Sequence, residues 1–117
     1  MARLEAPTAR MILRDVEVSA SDDQVTVYLR SDGPLQYKTM VLKAPDRLVV
    51  DLPNTVVGTK PSPGSVDVAS LGVTRVRWAL FQSEPPIARI VVDMEGSPRQ
   101  TVEATADGLV IRIAGKN

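Results

Sequence analysis

The chain contains no cysteine and no histidine. Without cysteine there are no disulfides, no thiolate nucleophile and no zinc–thiolate site. Without histidine it lacks the commonest general base and metal ligand. Aromatic residues are scarce, with one Trp, two Tyr and one Phe in 117 residues, so a sugar site built on many stacked rings is poorly supplied. Net charge is also missing, since 14 basic residues balance 14 acidic ones. That argues against duplex nucleic acid or an anionic membrane surface as partner, because both select basic patches. No apolar run reaches the 18 residues of a membrane-spanning helix, so no membrane insertion is expected. The first residues, Met1 to Pro7, have no apolar core of a signal peptide. A cytosolic protein or a segment of a longer exported chain are the two readings of that start.

Period-two alternation is abundant. Val16 and Val18 alternate with Asp15, Glu17 and Ser19, and Val25, Val27 and Leu29 alternate with Thr26, Tyr28 and Arg30. Leu48, Val50 and Leu52 alternate with Arg47, Val49 and Asp51; Val76, Trp78 and Leu80 with Arg75 and Arg77. The same pattern returns in Ile90, Val92 and Met94 against Arg89, Val91 and Asp93, and in Leu109, Ile111 and Ile113. This is the signature of half-buried strands. Turns are marked by Asp22-Asp23, Asp32-Gly33-Pro34, Gly96-Ser97-Pro98 and Asp107-Gly108. Leu35 to Leu42 is ambiguous in phase. Residues 53–72 are a Pro- and Gly-rich connector that is expected to pair briefly at Ser65–Ala69.

The two halves of the chain repeat one order: strand, Gly/Pro turn, strand, Asp-led turn, strand. Pro34 and Pro98, and Asp46 and Asp107, stand at nearly constant separations. The pattern predicts an all-β sandwich of two similar, mainly antiparallel four-stranded sheets, built from an internal repeat. Eight strands are expected, with each sheet made from one half. The folded domain is expected over residues 11–114, after a flexible segment at 1–10.

The recurring outward motif is Arg47-x-Val49-x-Asp51 and Arg89-x-Val91-x-Asp93. Positions four apart on a strand lie about 13 Å apart on one face. Arg47 therefore cannot reach its own Asp51, and needs a cross-strand partner or a ligand. Arg binds carboxylates through a two-pronged fork, and Asp accepts from hydroxyl and amide donors. The competing reading is ion pairing on a solvated face. Arg75 and Arg77 form a second outward basic pair, for binding or for solubility. Trp78 shares the phase of Val76 and Leu80, which favours core packing over sugar stacking. Tyr28 is the better exposed aromatic. Val49 and Val91 are apolar on outward faces, as a contact patch or as scattered surface valines. Losing Arg47 or Arg89 is expected to leave thermal stability nearly unchanged. A hydrolytic triad has no histidine, and no phosphate loop or His/Cys metal set is present, so no catalytic residue and no cofactor are assigned.

The segments Arg47-Leu-Val-Val-Asp51-Leu52-Pro53, Val73-Thr-Arg-Val-Arg-Trp-Ala-Leu-Phe-Gln82 and Ala88-Arg89-Ile-Val-Val-Asp93-Met94 resemble, in order and spacing, the AMIN domain family. The resemblance extends from about Met11 to Ile113. One departure is Leu80-Phe81-Gln82, where the family often has Gly before the Gln. The resemblance implies a sandwich of two similar four-stranded sheets and a noncatalytic, periplasmic targeting module within a longer exported protein. Members occur in N-acetylmuramoyl-L-alanine amidases and in secretins of type IV pilus machinery. The implied partner is peptidoglycan; interaction with secretin or other envelope proteins is the alternative. On this reading the ligand-binding residues are Arg47, Asp51, Arg75, Arg77, Arg89 and Asp93.

Overall fold

A computed structural model describes residues 10–60, 62–96 and 98–114. Much of the expected flexible segment, residues 1–9, lies outside the described residues. Eleven strands are present among those described: β1 (Met11–Leu13), β2 (Asp15–Ala20), β3 (Gln24–Arg30), β4 (Lys38–Leu42), β5 (Arg47–Pro53), β6 (Thr55–Val57), β7 (Gly64–Ser70), β8 (Val73–Ser83), β9 (Pro86–Met94), β10 (Arg99–Thr105) and β11 (Gly108–Ala114). A four-stranded antiparallel sheet runs β10-β11-β3-β2, and a five-stranded antiparallel sheet runs β4-β5-β9-β8-β7. β1 and β6 form a short parallel pair.

The strand alternation places the core as expected. Val25, Val27, Leu29, Leu109, Ile111 and Ile113 of one sheet are buried together with Leu48, Val50, Leu52, Ile90, Val92 and Trp78 of the other. Burying such side chains is the main drive for joining two sheets. Trp78 is thus a core residue. A Cβ on Gly64 would lie 2.4 Å from the Trp78 ring, so the absence of a side chain there lets β7 lie against the indole. The β10–β11 hairpin turns at Ala106-Asp107, and Gly108 follows at the close approach to β3. A Cβ there would fall 1.8 Å from the Leu29 carbonyl oxygen.

The repeat is present, but its halves are interleaved. Matching β2 to β8, β3 to β9, β4 to β10 and β5 to β11 turns the order β10-β11-β3-β2 into β4-β5-β9-β8, which is the second sheet without β7. Each half therefore gives one hairpin to each sheet, and the expectation of one sheet per half does not hold. The reason is coverage. Two hairpins placed edge to edge would leave one apolar face in water, whereas folding the second hairpin over the first buries both faces. The chain crosses between sheets after β3, where Gly33-Pro34 stands, and after β9, where Gly96 stands; Ser97 of the second expected turn lies outside the described residues. The strands beyond the expected eight are β1, β6 and β7. β7 lies where the connector was expected to pair, and it extends the second sheet to five strands. Leu35 is buried outside any strand, while Met40 and Val41 of the edge strand β4 are exposed.

At the junction before β2, Arg14 Nε and Nη2 donate to Asp32 Oδ1 and Oδ2 at 2.6 and 3.1 Å. The bond from Arg14 holds the Asp32 carboxyl below its ordinary value. A carboxyl lowered in the folded state contributes stability above its unfolded value of about 3.9, and loses it as pH falls through the lower folded value. Asp32→Asn should remove this contribution, so parent and variant melting temperatures should converge below about pH 4, measured at low salt. In the core, Val50→Ala should lower stability by about 1–3 kcal/mol in denaturant titration, through lost burial and the cavity left behind.

Candidate functional site

The strand register brings all six candidate residues onto the outer face of the five-stranded sheet. Three rows cross it. The first aligns Lys38, Asp51, Arg89 and Ala79; the second Met40, Val49, Val91, Arg77 and Ser65; the third Leu42, Arg47, Asp93, Arg75 and Asp67. Residues directly opposite on antiparallel strands share a face, so the outward phase of β5, β8 and β9 becomes one surface.

Within it the charges are largely matched. Arg89 Nε and Nη2 donate to Asp51 Oδ1 and Oδ2 at 2.7 and 2.9 Å. Arg77 donates diagonally from Nε and Nη2 to both oxygens of Asp93, at 2.8 and 3.0 Å. Arg75 Nε reaches Asp67 Oδ1 at 2.9 Å on β7. Arg47 faces Asp93 across the ladder, yet its Nη1 donates instead to the carbonyl oxygen of Pro45 at 2.8 Å. The hydrogen bond to Asp51 raises the Arg89 guanidinium above its ordinary value against the opposing effect of burial, so it stays charged. Val49, although outward, is only 3% exposed. Rows of long side chains flank it, and their apolar stems can cover a single valine. It is neither a scattered surface residue nor an open contact.

This face carries a groove of about 700 Å³. Pro63 and Ser65 line one part of it, and Arg77, Ala79, Arg89 and Phe81 line others. Phe81 was not among the candidates. The register passes from Leu80 opposite Ala88 to Gln82 opposite Ile87, so Phe81 is the extra residue of a β-bulge. A bulge re-aims the side chain it carries. The ring is 53% exposed, with the Arg89 guanidinium 3.5 Å from its centroid, a cation–π contact. Asp51, Arg89 and Phe81 therefore form one connected chain of contacts. The signal was in the sequence: Arg75, Arg77, Ala79 and Phe81 continue one outward phase, and Phe81 stands in the tripeptide that departs from the family pattern. Tyr28 lies elsewhere, in a depression of about 250 Å³ that Arg30 and Asp107 also line. On that sheet Arg30 pairs with Glu17, and Arg112 with Glu103.

These contacts change one expectation. Arg89 and Asp51 are only 27% and 20% exposed, so removing Arg89 strands a half-buried carboxylate. Arg89→Ala should cost about 1–3 kcal/mol of stability. Arg47→Ala should cost about 0–1 kcal/mol. Chemical denaturation of both variants beside the parent measures the difference.

Among curated proteins nothing matches this chain. The family model of the AMIN domain matches residues 15–113, from the first residue of β2 into β11, and so takes in both sheets. The chain therefore belongs to the AMIN domain family, noncatalytic modules of the periplasm that serve in targeting and peptidoglycan binding.

Proposed function

We propose that this domain, residues 11–114, binds peptidoglycan and targets a longer exported protein of the bacterial cell envelope to the wall. The reading places the binding site on the outer face of the five-stranded sheet. The observation that carries it is the convergence of Arg47, Asp51, Arg75, Arg77, Arg89 and Asp93 on three adjacent strands of one face, beside a groove that reaches Phe81. A concave surface with an apolar lining and a few fixed polar groups suits a ligand that offers hydroxyl, amide and apolar faces together. Peptidoglycan offers all three. Family membership supports the same partner.

A second reading, docking to a secretin or another envelope protein, is favoured by a different feature. The edge strand β4 exposes Met40 at 43% and Val41 at 47%, and an open strand edge can accept a further strand from a partner. Cosedimentation with purified insoluble peptidoglycan separates the two. At low salt the parent should enter the pellet, and Arg77→Ala should weaken binding about tenfold, the loss expected for one hydrogen bond from a charged donor. A folded parent that stays in the supernatant would favour the second reading. No sugar or amide release from the wall material is expected during the incubation.

A further inference from the structure

The guanidinium groups that line the groove are already engaged. Arg77 and Arg89 each use Nε and Nη2 on both oxygens of an internal carboxylate. A second carboxylate arriving from a ligand would find neither fork open and would meet Asp51 and Asp93 close by. Such pairs are locally neutral. What they leave for a ligand in the groove is the remaining Nη1 donors of the two guanidiniums. The rest of the lining is mostly apolar, with Ala79, Val91, Pro63 and the half-exposed ring of Phe81, and Ser65 polar among them.

From this we infer that the groove takes a neutral N-acetylated sugar, and not an anionic peptide. The inference rests on the peptidoglycan-binding reading, and chooses its glycan over its stem peptides. The C–H face of a pyranose and the acetamido methyl suit the ring and the small apolar residues around it. The acetamido oxygen and the hydroxyls meet guanidinium donors held in place beforehand, with the Ser65 hydroxyl in the same lining. Their fixation lowers the ordering cost of binding. Asp51 fixes Arg89 and Arg89 lies against Phe81, so the ring is oriented before any ligand arrives. Arg47, bonded to a carbonyl oxygen rather than a carboxylate, lies outside the groove lining. It is where an anionic peptide would dock if the inference is wrong.

The test is competition. The 117-residue chain is bound to insoluble peptidoglycan, then challenged with an N-acetylglucosamine hexamer, which carries no carboxylate, or with a free stem tetrapeptide. The hexamer should release the domain, and the tetrapeptide should not. Binding should change little between low and high salt, because no net charge is exchanged. Phe81→Ala should weaken binding about tenfold, while Phe81→Tyr, which keeps the ring, should bind like the parent. Release by the tetrapeptide, failure of the hexamer to release, or a Phe81→Ala variant that binds like the parent would overturn the inference and leave peptidoglycan binding intact. A parent that never binds the wall material would overturn both.

Discussion

The antiparallel pairing of β5 with β9 sets the chemistry of the outer face. Its register puts Asp51 opposite Arg89 and Arg47 opposite Asp93. It also puts Val50 opposite Ile90 on the buried side. Side chains alternate along a strand, so a slip of β5 by one residue would drive Arg47 and Asp51 into the core and turn Leu48 and Val50 to water. The apolar interior thus fixes where every charged outer residue stands. β3 and β11 are the corresponding pair in the other sheet, with Val27 opposite Ile111 and Leu29 opposite Leu109. In each sheet the central pair joins one strand from each half of the chain.

On the outer face the pairing divides the arginines by role. Arg75, Arg77 and Arg89 are held by carboxylates, and this holding aligns the side chains that border the groove. An ion pair between exposed groups adds little to folding. A bidentate pair at the rim of a concave surface has a separate effect, since it confines two flexible side chains to one geometry. Ion pairing and binding therefore need not be alternatives. The same pair can be internally satisfied and still offer its outer edge to hydroxyl and amide groups.

Much of this was legible in residue order. The inward rows around Val27, Val50, Ile90 and Ile111 follow from alternation alone, because a two-residue period on a sheet covered on one side leaves little freedom. The outward phase of the six candidate residues follows for the same reason, but their meeting on one face does not: with one sheet per half, Arg47 and Asp51 would lie on a different sheet from Arg75, Arg77, Arg89 and Asp93. The pairing of strands was not legible. A repeat reveals that two segments are alike, and is silent on whether they lie edge to edge or face to face; the coverage of apolar faces decides that. The bulge at Phe81 was hidden for a related reason. An inserted residue leaves the alternation intact up to Ala79, and only the partner strand, where Ala88 and Ile87 are adjacent, reveals the extra position. Phase alone does not give exposure, since Thr26 and Val110 are outward yet buried. Both lie on the two central strands of their sheet, where neighbours on either side limit access.

The interleaving of the halves has a consequence for the order in which the protein can form. A polypeptide that emerges with its N-terminus first presents β3 long before β11, which spans Gly108–Ala114. Until those final residues are free, β3 lacks its central neighbour and the apolar row of Val25, Val27 and Leu29 has lost half of its cover. Neither half can complete a sheet by itself, because each contributes one hairpin to each sheet. The long separation in sequence between paired strands also makes closure slow. Until it closes, such a chain is an open form with unpaired strand edges. It becomes a closed sandwich only when its last strand arrives.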